Sequence, residues 1–185
     1  MFARTERLLL RPGWAEDAPA LARAIGEEAI VRNLSSAPWP YDLSAAEAFL
    51  AAERAPNEAS FLIFRRTLGV PQLIGAAGFG KRPGVDEVEL GYWISRPHWG
   101  LGYATEAGRA IVAIACDSLR VGRLSAGHFV DNPASGRVLE KLGFRPTGQI
   151  APRYSCGRRA AAPCKLFELE LSGGAKQEVM EAIAA

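Results

Sequence analysis

An excess of charge of one sign is missing: 22 Lys and Arg stand against 20 Asp and Glu, a formal net charge of +2. That balance argues against the basic footprint of a duplex nucleic-acid binder, so no nucleic-acid partner is expected. Long apolar runs are missing too. None approaches the roughly 18–20 residues that a membrane-crossing helix needs, and the opening Met1-Phe2-Ala3-Arg4-Thr5-Glu6 has no apolar core of a secretory leader. No membrane partner is expected. Cysteine is scarce: Cys116, Cys156 and Cys164 are scattered, odd in number and form no CxxC pair. A disulfide framework and a structural zinc are therefore not expected, and a cytoplasmic, reducing location is expected. The two histidines, His98 and His128, have no sequence partner that would complete a triad. No metal site is expected.

What is present is one domain's worth of periodic elements, assigned to residues 1–172, with a tail at 173–185 that begins at Gly173-Gly174. Residues 5–11 alternate as a strand with Leu8 and Leu10 on one face. After Pro12-Gly13, Leu21 and Ile25 mark a helix over about 15–32. Pro38-Trp39-Pro40-Tyr41 interrupts, and Ser44 with Glu47 reads as a capping box for a helix ending near Arg54. The period then becomes that of strands at 60–64, 73–79 and 87–94, joined by turns: an antiparallel meander. A glycine-bearing loop at 95–103 leads into a long helix at about 104–119, where Ile111, Ala115 and Leu119 repeat every four residues. A strand at 123–130 and a helix at 134–142 follow, with Asn132 as N-cap, Pro133 in the first turn and Gly143 at the end. A strand from Phe144, an irregular Arg/Ala/Pro-rich segment and a last strand at 165–171 close the domain. The order implies an α+β fold with one helix crossing between two parallel strands.

The informative stretch is Trp93-Ile94-Ser95-Arg96-Pro97-His98-Trp99-Gly100-Leu101-Gly102-Tyr103-Ala104-Thr105-Glu106-Ala107, a strand, a glycine loop and a helix start. Glycines at 100 and 102 permit unusual dihedrals and clear side chains from the path. Successive N–H groups can then converge on an anion at the positive end of the helix, and a pyrophosphate suits such a cradle. A P-loop would need Gly-Lys-Ser/Thr where Gly102-Tyr103-Ala104 stands. A dinucleotide fingerprint would want a small residue at Thr105 and an acid about 20 positions on, and the run 119–123 offers none. A plain strand-to-helix turn is the remaining alternative on the loop alone.

Asn132-Pro133-Ala134-Ser135 opens the next helix after the next strand. Together with Glu89-Leu90-Gly91-Tyr92-Trp93-Ile94 and the stretch from Trp99 to Ala107, it resembles the GNAT superfamily of N-acetyltransferases. More narrowly the chain is similar to the Rim-type branch, which acetylates protein N-terminal amines, ribosomal proteins among them. The resemblance implies a mostly antiparallel twisted sheet with a splayed parallel strand pair, flanked by helices. It also implies acetyl-CoA as co-substrate and an amine acceptor, most simply a protein N-terminus, with a homodimer as a possible assembly. Small-amine acetylation and a silent acyl-CoA-binding module are the alternatives.

On that resemblance the backbone near Trp93 and Ile94 binds pantetheine and polarises the thioester. Trp99, Gly100, Leu101, Gly102, Tyr103, Ala104 and Thr105 form the pyrophosphate loop. Asn132 holds the pantetheine arm or only caps its helix. Ser135 protonates the leaving sulfur or only bonds within its own first turn. Glu89 draws the amine's proton through water, with Glu87 as competitor and a salt-bridged carboxylate as the bland reading. Leu139 stands where many members carry an acid tyrosine, and Trp99 where many carry Gln or Arg. Trp14, Trp39 and Tyr41 are groove or core aromatics, Cys116 is a core residue, and Arg153, Arg158 and Arg159 face acidic ligand groups or solvent.

Overall fold

The computed structural model describes residues 1–56, 58–81, 87–119 and 121–171. The chain starts with β1 (Ala3–Arg4) and β2 (Leu8–Arg11), then a 3-10 turn at Ala15–Asp17, α1 (Ala18–Ile25), α2 (Glu28–Val31) and α3 (Leu43–Ala51). The meander is β3 (Ala59–Arg65), β4 (Gln72–Lys81) and β5 (Val88–Ile94). Next come α4 (Tyr103–Ala113), which runs on as a π-helical turn at Ile114–Ser118, and then β6 (Arg123–Phe129) and α5 (Pro133–Lys141). A hairpin of β7 (Arg145–Ser155) and β8 (Ala160–Glu170) ends the described chain. All eight strands form one sheet in the order β1-β2-β3-β4-β5-β6-β8-β7.

The sheet is buried on both faces at its centre. Four successive residues of β3 are buried: Phe61 and Ile63 face one helix layer, Leu62 and Phe64 the other. A two-sided strand of this kind reads as a continuous apolar run rather than an alternation. On the first face Leu8, Ile63, Leu90 and Ile94 meet Ala107 and Ile111 of α4 and Leu139 of α5. On the second, Leu62, Phe64 and Ala76 meet Leu21 and Ile25 of α1 and Ala46 of α3.

β5 and β6 are the sheet's parallel pair, joined over the top by α4, and their register holds at one point, Glu89 opposite Ser125. Beyond it the strands diverge. β4 continues to pair β5 up to Ile94, while β8 continues to pair β6 up to Phe129. The sheet is therefore split from the middle upward, as expected for a splayed pair.

Several local expectations are corrected. Residues 5–11 are not one strand: Thr5 to Arg7 bend because the Glu106 carboxylate accepts from the Thr5 hydroxyl at 2.5 Å and the Arg7 amide at 2.9 Å. A tertiary carboxylate there replaces a ladder. The helix over 15–32 breaks at Gly26, giving α1 and α2. The α3 cap is Asp42, whose Oδ1 accepts from Ala45 N at 2.9 Å, so the helix starts before the Ser44–Glu47 box and ends at Ala51, short of Arg54. The Arg/Ala/Pro segment is regular, most of it lying in the long hairpin of β7 and β8. Edge position explains how β7 tolerates Pro146 and Pro152. The tail expected at 173–185 and most of the turn expected at 80–84, between the second and third strands of the meander, lie outside the described residues.

Candidate active site

The split leaves backbone groups facing an opening. Ser95 N donates to Ile74 O of β4 at 2.7 Å, so by alternation along β5 the amide and carbonyl of Trp93 also face β4. The groups turned toward the gap belong to Tyr92 and Ile94. The Ile94 carbonyl is already engaged, by the Trp99 indole at 2.6 Å. Of the main chain expected to act near Trp93 and Ile94, only that of Ile94 faces the gap, joined there by Tyr92, while the Trp93 side chain packs on the α1–α3 face.

The same indole bond fixes the start of the glycine loop. Gly100 and Gly102 sit at φ +74° and +80°, left-handed conformations that a side chain rarely adopts. A Cβ at Gly100 would meet nothing within 4 Å, so the loop opens outward there. Gly102 is the N-cap of α4. The amides of Tyr103, Ala104 and Thr105 have no intrahelical acceptor and no backbone partner elsewhere among the described residues. A pyrophosphate fits this set of donors at a helix N-terminus.

Arg7 brings a cation against the glycine end of the loop. Its guanidinium donates to the Leu101 carbonyl at 3.0 Å, pairs with Glu106 at 2.7 Å and lies 4.5 Å from the Tyr103 ring centroid. Burial pushes the Glu106 carboxyl upward. Hydrogen bonds from Thr5 and from the Arg7 amide and guanidinium, with the Arg7 charge, outweigh it and hold the carboxyl below its ordinary value. The alternation over 5–11 marks Arg7 only as a strand residue and carries no sign of this contact.

At the other side of the gap stands the first turn of α5. Asn132 occupies the N-cap position, yet its side chain makes no capping bond, so the capping alternative is not the one adopted. The Ser135 hydroxyl makes no bond within its own turn either. Its Oγ lies 2.9 Å from the Tyr92 hydroxyl, which also lies 3.0 Å from the Ser135 carbonyl. Burial pushes the Tyr92 phenol up to about 12, against the opposing bond to Ser135, so it stays protonated through the physiological range. Tyr92 is the site residue the sequence reading missed. Its neighbours in the motif were marked, but a contact across 43 positions leaves no local signal.

Glu89 projects from β5 to the opposite face, by alternation with Leu90 and Tyr92. There Arg153 of β7 reaches over the sheet and bonds Glu89, both side chains being mostly buried. Gly127 leaves room for that reach, since a Cβ there would lie 3.3 Å from the guanidinium. Glu87 is exposed at the strand's outer end. Arg158 and Arg159 are also occupied: Arg158 forks onto Asp131 at 2.8 Å from each nitrogen, and Arg159 donates to the Trp39 carbonyl at 3.1 Å. Arg153 and Arg158 are thus paired with carboxylates, while Arg159 stays exposed beyond its one backbone bond. Ser155 Oγ donates to Leu34 O at 2.8 Å, tying the hairpin tip to the segment after α2.

The remaining side chains take structural places. His128 is buried against Phe167, its Nδ1 2.9 Å from the Phe129 carbonyl, and His98 bonds Ser95. Tyr41 is core, Trp39 packs beside it, and exposed Trp14 stacks on Arg11. Cys116 is buried and none of the three cysteines is in a disulfide. Among the described residues no group of His, Cys, Asp and Glu gathers as metal ligands, and no helix is long and apolar enough to cross a membrane.

Comparison with known proteins places this geometry. The model of the acetyltransferase (GNAT) domain matches residues 7–145. The chain is 31% identical over 152 residues to an uncharacterized N-acetyltransferase, YoaA, of Bacillus subtilis (strain 168), covering 79% of this chain and 84% of that one. It is 32% identical over 85 residues to the ribosomal-protein-serine acetyltransferase of Escherichia coli (strain K12), 45% of each chain. RimL, a ribosomal alpha-N-protein acetyltransferase solved in complex with coenzyme A, shares the fold at a TM-score of 0.74 and 17% identity, over 92% of this chain and 98% of that one. With a family model matched over more than half its length, the chain belongs to the GNAT family of acetyl-CoA-dependent N-acetyltransferases.

Proposed function

We propose that the acceptor is a protein N-terminal α-amine, acetylated by direct attack on acetyl-CoA in a ternary complex. The observation that carries the reading is the placement of Glu89 and Ser135 on opposite faces of the sheet, at either side of the β5–β6 gap. An acetyl group lying in that gap is open to an amine from the Glu89 face, and its sulfur leaves toward the Ser135 face. The Ile94 amide donates to the carbonyl oxygen as negative charge gathers there. The amides at the start of α4 hold the pyrophosphate, and Asn132 bonds the pantetheine arm.

The acceptor class follows from the base. Glu89 shares its charge with Arg153, which suits it to orient an amine and pass its proton to water. An α-amine, pKa about 8, is partly neutral at pH 7, whereas a lysine amine near 10.4 is not. A carboxylate working through water meets the first demand more readily than the second. The likeness to the ribosomal-protein-serine acetyltransferase and to RimL points the same way. A cytoplasmic location fits both this acceptor and the three unbridged cysteines.

Labelled acetyl-CoA, offered with peptides whose α-amine is free or formylated and with a panel of polyamines and aminoglycosides, tests the acceptor. Label entering only peptides with a free α-amine is the expected result. Label entering lysine side chains or the small amines instead overturns it.

A further inference from the structure

We propose that Tyr92 is the positioning residue that turns the Ser135 hydroxyl proton toward the departing sulfur; this rests on Ser135 being the acid.

The phenol has one proton and two acceptors within reach, both on the same residue: the Ser135 carbonyl at 3.0 Å and Ser135 Oγ at 2.9 Å. Two arrangements satisfy these distances. In the first the phenol donates to the carbonyl and receives the Ser135 proton, which then points away from the gap. In the second the phenol donates to Ser135 Oγ, and the Ser135 proton is turned outward. Rotating O–H bonds converts one into the other with no heavy atom moving. Burial keeps the phenol protonated in both.

The second arrangement is the working one. As the tetrahedral intermediate collapses, the C–S bond breaks and its electron pair goes to sulfur. Sulfur takes the proton of Ser135 Oγ, Ser135 Oγ takes the proton of Tyr92, and the phenolate recovers one from water. A serine hydroxyl alone is a poor acid, and the hydrogen bond donated by Tyr92 offsets charge on its oxygen as the proton leaves. Leu139, at 1% exposure, is packed in the core one helical turn beyond Ser135, so that position offers no acid of its own.

Tyr92→Phe removes the hydroxyl and keeps the ring. Its kcat is expected to fall about tenfold, with CoA affinity and the acetyl-CoA KM within about twofold of wild type. Ser135→Ala is expected to fall about a hundredfold, and the double variant to equal Ser135→Ala alone, because Tyr92 acts only through Ser135. In mixtures of light and heavy water, kcat of the wild type is expected to bow, with two protons in flight, and that of Tyr92→Phe to run straight. A purely packing role for the hydroxyl would not produce that change. If Ser135→Ala turns over normally, the acid reading falls and takes this inference with it. If Ser135→Ala is slow while Tyr92→Phe matches wild type, or if the two losses multiply, the inference alone is overturned.

Discussion

In the proposed reaction, proton removal turns on Glu89. Glu89→Gln keeps the shape and a bond to Arg153 but removes the basic oxygen, so kcat with an α-amine peptide is expected to fall about a hundredfold with CoA affinity unchanged. Steady-state rates with a parallel CoA titration check it, and an unaltered kcat would make Glu89 an anchor for Arg153 only. A second residue, Glu106, bears on stability. Its folded-state carboxyl lies below the ordinary value of 4.5, so it stabilises the fold above that value and loses the contribution as pH falls through the lowered one. The melting-temperature gap between wild type and Glu106→Gln is expected to be widest near pH 7 and to close below about pH 4; a gap independent of pH would contradict this. Backbone features with a local cause were legible in the sequence: the left-handed turns at Gly100 and Gly102 and the helix start at Asn132 sit in short motifs with their own backbone logic. Arg7, Tyr92 and Arg153 were not, because each acts on a partner 43 or more positions away.

Among the elements, the loop entering α4 was the clearest from sequence and the β7–β8 hairpin the least. Paired glycines before a periodic helix announce a helix-terminus cradle, and the left-handed dihedrals at both agree. The hairpin carries Pro146, Pro152 and Pro163 and a run of alanines, so neither alternation nor branched residues signalled its two 11-residue strands. Its register comes from pairing with β6, which no local pattern encodes. The π-helical end of α4 was likewise invisible, since its apolar spacing still reads as a helix. The loop makes its own prediction. Gly102→Ala strains a left-handed residue by about 1–2 kcal/mol, while Gly102→Glu also brings a carboxylate to the phosphates. Calorimetry is expected to find CoA binding weakened in the first and lost in the second, both variants remaining folded by circular dichroism. Equal affinity in wild type and Gly102→Glu would remove the cradle from the account.

At the scale of the molecule, two apolar layers clamp one sheet and leave only its parallel pair free to part. That division was foreseeable as a fold, because the order of elements demands a parallel crossover in an otherwise antiparallel sheet. The point of parting, just past Glu89 and Ser125, was not. A ligand spanning the parting and the α4 terminus couples both halves of the sheet. Saturating the protein with CoA at a hundredfold its dissociation constant is expected to add about 2.7 kcal/mol of stability, read as a rise in melting temperature that Gly102→Glu lacks.

The most direct measurement is a crystal structure of the chain with acetyl-CoA bound. The account predicts pyrophosphate oxygens within hydrogen-bonding distance of the Tyr103, Ala104 and Thr105 amides, and the thioester between β5 and β6 with its sulfur toward Ser135. Coenzyme lying outside that parting, with those three amides facing solvent, would contradict it.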